Sequence, residues 1–124
     1  MAYNNIYGQA ETYIAGADLS AAQYLFVTSD GDEVTATGVG EAATGVLFNA
    51  PVQNDAATVV RGGEVNVYVG TGGLTIGAEV ASDAAGKAVA ATSTDEVVGI
   101  ARTAAAAGGL ATITFLPKAQ YTKA

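Results

Sequence analysis

The chain has 124 residues, with 12 acidic side chains against 5 basic ones and a net charge of −7. It contains no cysteine, histidine or tryptophan. That inventory excludes disulfides, Cys/His zinc sites and every Ser-His or Cys-His nucleophile, and the acidic surface argues against binding phosphate backbones.

Length alone allows one domain with a real core, burying roughly two-thirds of the unfolded surface. Half the residues are apolar and the mean hydropathy is +0.31, which argues against a disordered tail. Much of that apolar content is alanine, and a core poor in bulky residues leans on oligomeric partners. No apolar run approaches the ~18 residues of a membrane span. MAYNNIYGQAETY has neither a basic nor an apolar signal region. The expectation is a soluble protein made in a cytoplasm.

In chain order, residues 1–15 predict an extended arm, nearly uncharged, with Tyr3, Asn4, Asn5, Tyr7 and Tyr13 as candidate contacts to a partner. Tyrosine suits interfaces because it offers apolar area and a hydroxyl at small entropic cost; a frayed end is the other reading. A single β-rich body is expected over 16–117. Tyr24-Leu25-Phe26-Val27 is apolar on both faces, as a buried or interface strand is. Asp30-Gly31-Asp32 closes it as a turn. Thr58-Val59-Val60 is a short strand, Gly62-Gly63 a break, and Val65-Asn66-Val67-Tyr68-Val69 alternates with three valines on the core face. Gly70–Gly73 and Asp83–Gly86 are turns around further short strands at Leu74–Ile76 and Ala88–Ala90.

Val97–Ile100 follows as another strand. Ala101–Ala107 has high helix propensity, stopped by Gly108-Gly109. Its counterpart 47–53 contains Pro51, so a strand end and loop are predicted in both, with one helical turn in the second. Ala111–Phe115 alternates, with its threonines facing outward. Residues 118–124, with Lys118, Tyr121 and Lys123, form a short basic tail. Strands of this length and spacing predict an all-β fold, a small β-barrel or β-sandwich.

A frame recurs. Gly45 and Gly99 each precede a β-branched residue, Ala50 aligns with Ala104, and Ala57-Thr58-Val59 aligns with Ala111-Thr112-Ile113. Ser29-Asp30 likewise aligns with Ser82-Asp83, with a small insertion after it. Two copies are too few for a solenoid, and two similar β-meander halves around one core explain the pattern.

Chemistry is absent from the motifs. Gly70–Gly77 fails the dinucleotide fingerprint because its third glycine falls at Thr75. Asp30, Asp32 and Glu33 lack the rest of a calcium loop. Carboxylate pairs remain, without a tryptophan platform for a sugar. No enzyme activity, cofactor or metal is expected.

Thr44-Gly45-Val46-Leu47-Phe48-Asn49-Ala50-Pro51, Ala57–Gly63, Gly77–Val89 and Val98–Ile113 together resemble the capsid cement (decoration) proteins of tailed phages, over roughly residues 16–116. The resemblance implies a small β-rich protein on the outside of an icosahedral head, bridging major capsid subunits. It also implies a homo-oligomer, trimer or dimer; the acidic charge and the lack of a long apolar run lead to the expectation of no nucleic-acid and no membrane partner. A β-sandwich glycan-binding module at a virion or cell surface is the alternative.

Overall fold

The computed structural model describes residues 10–116 and 120–123, all of it strands, turns and loops. The first half supplies β1 (Ala10–Ala15), β2 (Phe26–Asp30), β3 (Glu33–Ala36), β4 (Gly45–Leu47) and β5 (Ala56–Val60). They close into a barrel in the order β1-β3-β2-β4-β5. Neighbours are antiparallel except β1 and β3, which run parallel at Ala15–Val34.

The second half supplies β6 (Gly63–Tyr68), β7 (Glu79–Ser82), β8 (Ala88–Ala90), β9 (Glu96–Val97), β10 (Gly99–Ala101) and β11 (Leu110–Phe115). Five of these form a sheet in the order β6-β11-β10-β7-β8, and β9 pairs instead with β12 (Tyr121–Thr122). A parallel bridge between Val69 and Ala88 joins the sheet's two edges, where the first half pairs Ala15 with Val34. Substituting β6, β8, β7, β10 and β11 for β1, β3, β2, β4 and β5 reproduces the first order strand for strand. The recurring frame is therefore a repeated topology.

Its registers repeat as well. Tyr13 pairs with Ala57 and Val67 with Ala111. The Ala15 amide donates to the Asp55 carbonyl, and the Val69 amide to that of Gly109, both at 2.9 Å. Gly45 and Gly99 recur for a steric reason. A Cβ at Gly45 would lie 2.4 Å from the Val60 carbonyl oxygen, and one at Gly99 would lie 2.9 Å from that of Thr114. Each glycine lets the fourth strand of its half cross close to the fifth.

Two apolar clusters fill the molecule. Ala15, Val27, Val34, Leu47, Ala57 and Val59 form the interior of the first barrel. Their neighbours Phe26, Val46 and Val60 point the other way and join Val65, Val67, Ile113 and Phe115 in one continuous core. Phe26-Val27 of β2, Val46-Leu47 of β4 and Val59-Val60 of β5 are thus buried on both faces, as the apolar run ending at Val27 predicted. Across this seam the Phe26 and Phe115 rings lie 6.4 Å apart. Their equivalents at the two outer ends are charged: Glu79 stands where the first half has Phe26, and Arg61 where the second has Phe115.

Five local expectations change. The alanine run 101–107 has no helical turn: β10 ends at Ala101, and Ala105 bridges Leu74 with mutual backbone hydrogen bonds of 2.8 and 3.1 Å. Leu74–Ile76 is accordingly one bridge leading into a turn. Tyr24 and Leu25 precede the strand, because Tyr24 has a left-handed backbone (φ 65). Ala10–Ala15, expected as part of the arm, is barrel strand β1, held by five residue pairs to β5. At the other end, the expected tail contributes β12.

Candidate interaction surface

At Tyr24 the chain turns back on itself. Its amide donates to the Leu47 carbonyl at 2.7 Å, and its carbonyl accepts from the Tyr68 amide at 3.0 Å, stitching the first half to the second. The ring is thereby set between two others. Its centroid lies 6.1 Å from Phe48, edge-on at 76°, and 6.1 Å from Tyr68, tilted at 58°. Such geometries are favourable for aromatic pairs. Phe48 is 36 % exposed, Tyr68 37 %, and Leu110, directly opposite Tyr68 on β11, 43 %. The group is therefore a surface cluster lying over the seam.

The sheet carries the surface outward with uncharged side chains. Beside Phe48 lies Thr58, whose carbonyl accepts the Phe48 amide at 2.8 Å and which pairs with Thr12 on β1. Beyond Tyr68 and Leu110 come Asn66 and Thr112, joined by a 2.8 Å hydrogen bond from the threonine hydroxyl to the amide oxygen. The Gln23 side-chain amide donates to the Phe48 carbonyl at 2.9 Å. The first charge along β6 is Glu64, which faces Arg102 at 3.5 Å.

The chain is similar in fold to a phage head fiber base. Against the head fiber gp8.5 N base of bacteriophage phi29 the TM-score is 0.72 at 20% sequence identity, covering 87% of this chain and 93% of that one. Such coverage takes in both halves rather than a single barrel. No protein family and no curated protein matches the sequence. The likeness to the head fiber base is one of fold and assigns no role to any side chain.

Of the residues singled out from sequence, Tyr3, Asn4, Asn5 and Tyr7 lie outside the described residues. Tyr13 sits on β1, partly buried against the first barrel's core, with its hydroxyl donating to Glu11 at 3.3 Å. Burial pushes its phenol above the ordinary tyrosine range. The structure thus makes Tyr13 part of the barrel wall. The cluster of Tyr24, Phe48 and Tyr68 did not emerge from sequence, since its members are far apart in the chain. A signal did exist in the repeat: the equivalent positions hold Gly77, Arg102 and Ile14, so the aromatics mark places where the halves diverge.

A second polar cluster pins the C-terminal strand. Lys123 Nζ and the Tyr121 hydroxyl both donate to the Glu79 carboxylate, and the Thr122 hydroxyl donates to Glu96 at 2.7 Å. The Lys123 hydrogen bond, reinforced by that from Tyr121, holds the Glu79 carboxyl below its ordinary pKa. Accepting the same bond, Glu79 raises the Tyr121 phenol. Gln120 completes the clasp: its side-chain amide accepts from the Ala43 amide at 3.1 Å and donates to the Ala43 carbonyl at 2.8 Å. Residues 120–123 therefore touch both halves. Among the described residues, no group of three or more acids is placed to hold a metal ion.

Proposed function

We propose that this chain is a structural protein of a phage virion, seated on the outside of the icosahedral head and tying neighbouring major capsid subunits together. The observation that carries the reading is the fold shared with the phi29 head fiber base over nearly the whole of both chains. Its physics agrees with the sequence. Such a protein performs no chemistry; it needs a rigid body, solubility and a contact surface, and several weak contacts to one shell reinforce one another through effective concentration. A closed barrel and a five-stranded sheet packed across one continuous core supply the rigidity, and the acidic surface supplies solubility.

The deciding experiment is co-sedimentation of the purified protein with expanded, protein-stripped phage capsids and, beside them, unexpanded procapsids. Saturable binding to the expanded shell is expected and would give the copies per capsid. Binding to neither shell overturns the reading. The exposed rings of Phe48 and Tyr68, with the half-buried Tyr24 between them, would then favour the glycan-binding alternative, to be tested on a glycan array.

A further inference from the structure

We propose that the edge of the second half from Thr94 to Val97, together with Glu79, is a strand-accepting site for an extended peptide bearing a basic side chain, and that the chain's own residues 120–123 occupy it as a displaceable latch.

The two halves use equivalent edges differently. Gly40 and Thr94 correspond: both have left-handed backbones (φ 64 and 74), and in each turn the following carboxylate caps an amide. Glu41 accepts from the Gly38 amide at 3.2 Å, and Asp95 from the Thr92 amide at 2.9 Å. In the first half this edge is filled by the second half. The Gly40 amide donates to the Ser82 carbonyl, and the Gly40 carbonyl accepts from the Glu96 amide, both at 2.9 Å. At Thr94 the C-terminal segment takes over. The Thr94 amide donates to the Lys123 carbonyl, and the Lys123 amide to the Asp95 carbonyl, both at 2.8 Å. Ala43 and Val97 also correspond. Val97 pairs with Tyr121, while the Gln120 side-chain amide both accepts from and donates to the Ala43 backbone, as a strand residue would. A short segment thus stands on the second half where a whole half stands on the first.

The contacts of that segment define the ligand. In strand addition the main chain supplies affinity and the side chains supply specificity. Glu79, which stands where the first half has Phe26, receives the Lys123 ammonium and the Tyr121 hydroxyl, and Glu96 receives the Thr122 hydroxyl at 2.7 Å. The site therefore selects an extended segment with a cation opposite Glu79. Its present occupant is weakly anchored. Tyr121 and Thr122 are exposed, their pairing with β9 spans two residues, and neither apolar cluster takes in any of residues 120–123. Exposed ion pairs contribute little, and short exposed pairings open first in native proteins. Opening would leave the Thr94 amide and the β9 edge unpaired, which is a template for another strand.

Amide exchange at Thr94 in the full chain reads the site directly, with the peptide LPKAQYTKA, copied from residues 116–124, as the probe. In the wild type Thr94 should be protected, yet exchange roughly tenfold or more faster than amides of the core strands. The double variant Tyr121→Ala/Lys123→Ala should lose roughly tenfold or more of that protection while thermal unfolding stays cooperative. The peptide should then restore it, at concentrations on the order of millimolar, the range in which a tethered segment acts. The same peptide with Lys123→Glu should not, and adding Glu79→Gln to the double variant should weaken the rescue. Thr94 protection equal to that of the core, or absent, overturns the proposal. So does protection that the double substitution leaves intact, or that the peptide fails to restore. No capsid enters the experiment, so this claim and the head-binding reading fail separately.

Discussion

At the residue scale, glycines at strand crossings set the spacing of each half. Gly45→Ala would place its Cβ 2.4 Å from the Val60 oxygen and 2.6 Å from a Val59 methyl. The corresponding Gly99→Ala contacts are looser, 2.9 Å to an oxygen and 3.0 Å to the Ile113 terminal methyl, which can rotate away. We expect losses of about 1–3 kcal/mol in urea unfolding, larger at Gly45 than at Gly99. Equal tolerance of both substitutions would mean the strands can part without cost. Asn54 and Gly108 show the same logic in milder form. Both take positive φ (73 and 86) and donate equivalent hydrogen bonds, because asparagine tolerates the conformation that glycine adopts freely.

At the level of elements, the alternating strands were the most legible part of the sequence. Val65, Val67 and Val69 are essentially unexposed, as are Ala111, Ile113 and Phe115, because strict alternation with one apolar face admits a single register against the core. Short strands without alternation were not legible: β1 and β12 are fixed by partners distant in sequence, and β3, the second arm of a tight hairpin with β2, buries Val34 alone. The alanine run misled because propensity is a weak prior beside the bridge to Leu74. The clasp of β12 is expected to respond to pH at both ends. Glu79 titrates below its ordinary value in the folded chain, so its contribution is complete above the usual glutamate pKa and fades as pH falls through the lowered value. Tyr121 is raised, so its contribution holds below 10.0 and fades as pH rises through the raised value. Exchange protection of the Lys123 amide, which donates to the Asp95 carbonyl at 2.8 Å, should report both limits. Glu79→Gln should remove the acid limit; protection that is flat with pH in the wild type would contradict this account.

For the whole molecule, the seam decides how the chain unfolds. Phe26 belongs to a barrel of the first half yet packs in the core of the second. Phe26→Ala should cost about 3–5 kcal/mol and lower a single transition seen alike by probes in both halves. Two separable transitions would mean the halves fold independently. A net charge of −7 likewise predicts no tight, salt-sensitive binding to duplex DNA in a filter or anisotropy assay. The seam has one more consequence. It joins unlike faces, Phe26 of one half against Phe115 of the other, and contacts of that kind have no inherent end. Were Glu79 a phenylalanine and Arg61 another, each molecule would offer the next a copy of its own seam, and the protein would grow into open-ended filaments. Ion pairs with Lys123 and Glu11 at these two positions give the stack polar termini, and so limit it to two.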